Sequence, residues 1–156
     1  MPKETRNPNT EERGVIEGVA GEEAFWGYNV EAANFALHDG ESVPLRDLME
    51  RTAQFGEAVI RFAKKVPHKP ENNRLISQLV GAAISIGANY CEADDSVSGK
   101  DFKKSIGTCR KESKETMFFL RMIAASEESL KDEARALWRE AKELNLIFGA
   151  IWRKRE

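Results

Sequence analysis

The chain is predicted to be all-α, an antiparallel up-down-up-down four-helix bundle over residues 45–156 preceded by an N-terminal extension over residues 1–44. Three observations carry this. Apolar residues recur at 4-3-4-3 spacing in four separate stretches, prolines and polar turns divide the stretches, and the links between them are short. With 156 residues, 41% apolar and 32% charged, the chain has the composition of a globular protein with one core rather than of a disordered one. Its net charge of −2 conceals a division at the same boundary. Residues 1–44 hold three basic residues (Lys3, Arg6, Arg13) and nine acidic ones, while residues 45–156 hold 21 basic and 17 acidic. An acidic extension therefore precedes a mildly basic body.

The extension opens with a polar dozen containing Pro2 and Pro8, which reads as a loose tail with no signal-peptide character. Gly14, Gly18, Gly21 and Gly27 then interrupt any long element, yet Phe25, Trp26, Tyr28 and Phe35 need apolar surroundings. This stretch reads as an arm that docks on the bundle or on a neighbouring subunit, with a short helix over residues 30–38.

After Pro44 the periodicity is strong. Leu48, Thr52, Phe55, Val59, Phe62 and Val66 form one stripe of a helix over about 45–66, stopped by Pro67 and Pro70. Leu75, Leu79, Ala82, Ile86 and Tyr90 stripe a second helix over about 71–94. Its centre is crowded with Gly81, Ala82, Ala83, Ser85, Gly87 and Ala88, although each glycine costs about 1 kcal/mol of helix propensity. Close approach of another helix accounts for that cost, and so does a narrow core that small residues fill. Ser98-Gly99-Lys100-Asp101 resembles a capping box and starts a third helix over about 99–125, striped by Phe102, Ile106, Cys109, Ser113, Thr116, Leu120 and Ile123. Ser126 or Ser129 is the expected N-cap of a fourth, over about 129–154, striped by Leu130, Ala134, Leu137, Ala141, Leu144, Phe148 and Ile151. The 3.5-residue repeat implies left-handed supercoiling at shallow crossing angles. Cys91 and Cys109, both on helices with apolar neighbours, are expected to be buried or half-buried free thiols.

Motifs of catalysis are missing. The chain has no glycine-rich phosphate loop, nucleophile elbow or CxxC pair. A di-iron bundle needs Glu-x-x-His on two helices, but His38 and His68 are the only histidines and neither follows a glutamate by three. Arg61 and His68 share the R-x6-H spacing of helical nucleases of the HEPN group, but His68 follows Pro67, beyond the helix end. The expectation is a chain with no catalytic residue, no metal and no cofactor. No apolar run approaches the roughly 20 residues needed to span a bilayer, so the expected location is the cytoplasm, with no membrane partner.

Two sets of residues are candidates for something more than packing. Ser85, Asn89, Glu92, Glu112 and Glu115 are polar groups near the apolar stripes, and facing inward they would set helix register through hydrogen bonds. The second set is basic. Counting about 100° per residue, Lys100, Lys103, Lys104, Arg110, Lys111, Lys114 and Arg121 gather on a side of the third helix roughly 140° from its core stripe. Asp101, Glu112 and Glu115 lie on one flank of that row. A one-sided row of cations suits the phosphate backbone of RNA or DNA, and Arg153-Lys154-Arg155 adds to the field; a solvated bundle face has the same look. The apolar surplus of the fourth helix (Trp138, Leu146, Ile147, Trp152) and the small-residue centre of the second point to a homo-oligomer.

Several runs together resemble the 23S rRNA intervening-sequence protein family. They are Asp47-Leu48 through Arg51-Thr52 and Phe55, then Gln78-Leu79 with Ala83-Ile84-Ser85-Ile86-Gly87-Ala88-Asn89-Tyr90 and Glu92-Ala93. Ser98-x-x-Asp101-Phe102, Lys111-Glu112-Ser113-x-Glu115-Thr116, Glu133-Ala134 and Glu143-Leu144 extend the resemblance over about residues 45–152. It implies a bacterial four-helix bundle assembled as a ring-like homopentamer, similar to the accessory variability protein of diversity-generating retroelements, which binds nucleic acid and a reverse transcriptase. It implies no catalytic residue. The expected function is therefore a non-enzymatic, oligomeric bundle binding nucleic acid, structured RNA first, through its basic surface. The alternative is an assembly scaffold for a protein partner, such as an accessory subunit of a reverse transcriptase or other nucleic-acid enzyme.

Overall fold

Four helices account for nearly all of the described residues: α1 (Leu45–Ala63), α2 (Pro70–Asp94), α3 (Gly99–Ser126) and α4 (Lys131–Lys154). The structure is a computed structural model, and it describes residues 25–26 and 45–154. The short helix expected over residues 30–38 lies outside the described residues, as does the rest of the extension apart from Phe25 and Trp26. Helix α2 packs on α1 and α3, α3 packs on α4, and the contact between α1 and α4 is the slightest of the four. The bundle is all-α, as the spacing predicts.

Each stripe buries its residues for the reason the spacing gives. Leu48, Phe55, Val59 and Phe62 from α1, with Val66 just beyond it, meet Leu79, Ile86 and Tyr90 from α2, Ile106, Leu120 and Ile123 from α3, and Leu144 and Phe148 from α4. Burying a side chain of that size contributes about 1.5–3 kcal/mol. Helix α1 ends three residues earlier than its stripe. Pro67 disfavours the helical conformation at Val66, and the last turn tightens, with Lys65 N–H donating to the Phe62 carbonyl at 2.9 Å. Val66 is buried even so. Pro70 occupies the start of α2, where its missing N–H costs nothing.

The small-residue centre of α2 serves close approach at one point and not at another. A Cβ on Gly87 would stand 3.3 Å from Thr52 Oγ1, so α1 and α2 touch there backbone to side chain. The Thr52 hydroxyl is turned back onto its own helix, donating to the Leu48 carbonyl at 2.7 Å. Gly81 faces open space, with nothing within 4 Å of the position a Cβ would take.

Both cysteines are free thiols. Cys109 is buried, and burial pushes its thiol up to about 12, so it stays protonated; it donates to the Ile86 carbonyl at 3.4 Å. Cys91 differs from expectation and is exposed, because its position on α2 points away from the stripe.

The two described residues of the extension, Phe25 and Trp26, pack on α4. Trp26 is 2% exposed and Trp138 of α4 is 1% exposed, with their rings 5.7 Å apart. Phe25 packs edge-on against Trp26 at 5.2 Å, and Lys131 Nζ and Arg135 Cζ each lie 4.6 Å from its ring centre. Trp138 is thus not surplus apolar surface, and the oligomer expectation loses it as a support. Across the thin α1–α4 contact, Arg51 binds Glu140 bidentately, at 2.6 and 3.0 Å, and Glu143 at 2.7 Å. Bidentate geometry with partial burial places this pair above an ordinary surface ion pair.

At the end of the bundle where α1 passes to α2 and α3 to α4, a polar cluster joins the two connections. Asn72 is fully buried. Its Nδ2 donates to the Pro67 carbonyl and to Glu127 Oε1, both at 2.9 Å, and its Oδ1 accepts from the Ser126 hydroxyl. Lys69 Nζ completes the set at 2.9 Å from Glu127. Ser126 is therefore spent on Asn72 and caps nothing, and α4 grows instead out of a 3-10 turn at Glu128–Leu130. Lys69 and Asn72 hold the Glu127 carboxyl below its usual range, and Glu127 raises Lys69. A depressed carboxylate stabilises the fold above its unfolded pKa, and that contribution is lost as pH falls through the folded value. The raised Lys69 loses its share only at alkaline pH. Urea unfolding at several pH values should therefore show Glu127→Gln less stable than the parent at pH 7, with a shallower acid limb, the two proteins converging at low pH. Parallel curves at every pH would refute the ion pair's role.

Candidate nucleic-acid interface

The outer face of α3 is oriented by its first turn and its core stripe together. The Ser98 hydroxyl caps the helix, accepting from Asp101 N–H at 3.1 Å, and donates to Asp101 Oδ2 at 2.8 Å; the aspartate thus bonds the Ser98 hydroxyl and not the backbone N–H that a full capping box would use. From that start Ile106, Cys109, Ser113, Thr116, Leu120 and Ile123 are buried, which leaves the row of cations on the far side.

The seven candidate cations separate into groups. Lys100, Lys104, Lys111 and Lys114 are exposed and point outward. Phe118, 57% exposed, continues the same face. Lys111 has one acidic neighbour, Glu115, at 3.9 Å on the next turn. Lys103 and Arg110 lean towards α4 instead. Lys103 Nζ lies 4.3 Å from the centre of the Trp152 ring, and Arg110 Cζ lies 5.6 Å from it. Arg121 is half-buried, further along the helix.

The register of α4 against α3 brings Trp152 to this place. Asn145 Nδ2 donates to the Arg110 carbonyl at 2.8 Å and to Ser113 Oγ at 3.1 Å, pinning one helix to the other. About two turns further along α4, Trp152 lies over Gly107, where a Cβ would stand 3.3 Å from its Nε1. Arg153 Nη1 is 3.3 Å, and Arg110 Nε 3.9 Å, from the point a Cβ on Gly149 would occupy. Two arginines, a lysine and an indole thus converge at two glycines on the α3–α4 seam. Sequence reading counted Trp152 as apolar surplus and Arg153 as part of a basic tail. The signal that joins them to α3 is Gly107, placed between Lys103 and Arg110 on one ridge of the helix.

The five polar candidates do not form an interior cluster. Ser85 and Asn89 are half-buried, and the Asn89 amide donates to the Ser85 carbonyl of its own helix at 2.8 Å. Glu92 is exposed, and Glu112 and Glu115 are half-buried at the edge of the basic face. Burial pushes the Glu112 carboxyl up, with the charge of Glu115 adding to the effect. Carboxylates stay at the margin, where they keep their water, because burying a charge is costly. The buried polar residues are Thr52, Asn72, Ser113 and Thr116, and Ser113 and Thr116 satisfy themselves on carbonyls of their own helix. Arg61 and His68 are both exposed, on α1 and in the connection after it, and among the described residues Arg61 reaches only Glu57, at 4.0 Å. Among the described residues no group of three His, Cys, Asp or Glu side chains is placed to hold a metal, and no helix is long and apolar enough to cross a membrane.

The family model described as 23S rRNA-intervening sequence protein matches residues 46–149, which is most of the bundle. The chain belongs to that family. A solved structure of a protein of unknown function from the S23 ribosomal protein family of Bacteroides thetaiotaomicron is similar to it at 20% identity, with a TM-score of 0.63. The match covers 71% of this chain and 99% of that one. No curated protein matches this chain. At that identity the likeness speaks for the fold of this intervening-sequence protein and not for its ligands. The match to the family model also ends before Trp152 and Arg153, so the cationic seam extends past the region the family model describes.

A β-branched side chain at position 107 has no room beneath the indole. Gly107→Val should lower stability by about 1–3 kcal/mol through overpacking. It should also red-shift the tryptophan emission, because Trp26 and Trp138 stay buried while Trp152 is pushed into water. An unshifted spectrum with unchanged stability would remove the contact between Trp152 and α3.

Proposed function

We propose that this chain is a non-enzymatic helical-bundle protein that binds nucleic acid, RNA with secondary structure in the first place, and works as a homo-oligomer. The observation that carries the reading is the charge pattern of α3. Lys100, Lys104 and Lys114 have no ion-pair partner among the described residues, and Lys111 has one distant one. Lys103, Arg110, Arg153 and Lys154 extend the same field to the end of α4, again unpaired with carboxylates among the described residues. Cations neutralised by neighbouring carboxylates make a solvated face, whereas a row left uncompensated draws counterions that a phosphate backbone displaces. The family description, with its reference to 23S rRNA, is consistent with an RNA ligand.

Self-association is supported by Ile60 and Ile84, 39% and 47% exposed on adjoining helices, and by the open surface at Gly81 beside them. Five copies is the number that the family resemblance implies. Phe118 favours a second reading, in which the same face docks a nucleic-acid enzyme such as a reverse transcriptase and this chain is its accessory subunit.

The test of the main reading is salt dependence. Affinity for a structured RNA should fall steeply with salt. Reversal of Lys104 and Lys111 to glutamate should flatten the log–log slope by about 2, roughly one unit per lost phosphate contact. Binding that survives reversal unchanged would remove α3 from the interface. Loss of protein capture on Phe118→Ser with RNA binding intact would select the accessory-subunit reading. For assembly, light scattering at micromolar concentration should give an oligomer that Ile84→Asp dissociates. A monomeric parent chain would end that part of the proposal.

A further inference from the structure

Trp152 differs from the other two tryptophans of the chain. Trp26 and Trp138 bury each other, while Trp152 is half-buried at the surface, resting on the bare backbone of Gly107 with its ring attended by Lys103 and Arg110. Arg110 and Arg153 bring two guanidinium groups to the same point over Gly149. None of Lys103, Arg110 and Arg153 has a carboxylate partner among the described residues. Like charges on a free surface move apart into water; here glycine notches and helix register hold them together around an aromatic plane.

We propose that Trp152, Lys103, Arg110 and Arg153 form a seat for one unpaired nucleotide, its base stacked on the indole and its phosphate between the two guanidiniums. This rests on the nucleic-acid reading above and gives it a substrate class. Arginine forks match phosphate oxygens in pairs, and every base presents a π-face to an indole. Lys103, on a flexible four-carbon stem, gives up its place over the ring to the base and turns its charge to a neighbouring phosphate. A base inside a duplex has both faces covered, so only a loop, bulge, strand end or free nucleotide can use the seat. The outward cations Lys100, Lys104, Lys111 and Lys114 are left to hold the flanking backbone, paired or not.

Tryptophan fluorescence of the full chain reads the seat directly, because Trp26 and Trp138 are out of reach of a ligand. A hairpin RNA with an unpaired loop should quench the emission, and a fully paired duplex with the same number of phosphates should bind with little quenching. Trp152→Leu should weaken the hairpin roughly ten-fold and abolish the quench, while Trp152→Phe retains most of the affinity. Circular dichroism checks that the variants keep their helices, and the hairpin–duplex contrast in the parent protein stands without them. Quenching by AMP and not by the hairpin would keep the seat and assign it to a free nucleotide. Equal absence of quenching by hairpin, duplex and AMP would overturn the seat, while the charge reversal at Lys104 and Lys111 still decides the wider interface. Absence of any binding at low salt would overturn both.

Discussion

In α3 the apolar stripe is packed between α2 and α4, and the direction of every charged residue on that helix is a consequence. Once Ile106, Cys109, Leu120 and Ile123 are buried, Lys100, Lys104, Lys111 and Lys114 have nowhere to go but outward. The same packing sets the register of α4 through Asn145, and that register decides which residues of α4 meet the flank of the basic row. Packing alone therefore builds a surface with one sign of charge. It does so without a buried carboxylate, because α3 and α4 meet through apolar groups and hydroxyls that bond their own helices.

The bundle closes unevenly. Three neighbouring helix pairs are held by long apolar contacts, whereas α1 and α4 meet slightly and depend on the Arg51 fork to Glu140 and Glu143. The docking of Trp26 on Trp138 adds an apolar anchor to α4. Polar interactions replace area where area is scarce, and the Asn72–Glu127–Lys69 cluster does the same for the two connections at one end. The opposite end, where α3 begins and α4 finishes, holds the opposite kind of chemistry. Among the described residues Lys103, Arg110 and Arg153 have no carboxylate partner there, and the Trp152 indole stands among them.

Membership of the 23S rRNA-intervening sequence protein family and the all-α fold agree with each other, and neither supplies a reaction. Among the described residues no group of three acids, histidines or thiols is placed to hold a metal, and Cys109 is buried and held protonated. What distinguishes this chain lies on its outside: uncompensated charge, an exposed isoleucine pair, and the seam around Trp152.

The four helices were legible without any structure, because a 4-3 repeat of apolar residues buries one face and no other, and Ser98 and the prolines punctuate it locally. The outward placement of the α3 cations followed from the same periodicity. Polar side chains near a stripe were not legible in the same way: Asn89 lies roughly 60° off its stripe at about 100° per residue, and only the position of neighbouring helices decides whether such a residue is covered. The role of Asn72 was hidden for a related reason, since its partners Pro67, Ser126 and Glu127 come from two connections far apart in the chain. Trp138 and Trp152 look alike as sequence. The tertiary structure buries one beneath Trp26 and sets the other on Gly107 among cations, because contacts between elements depend on helix register, which no periodicity within a single helix contains.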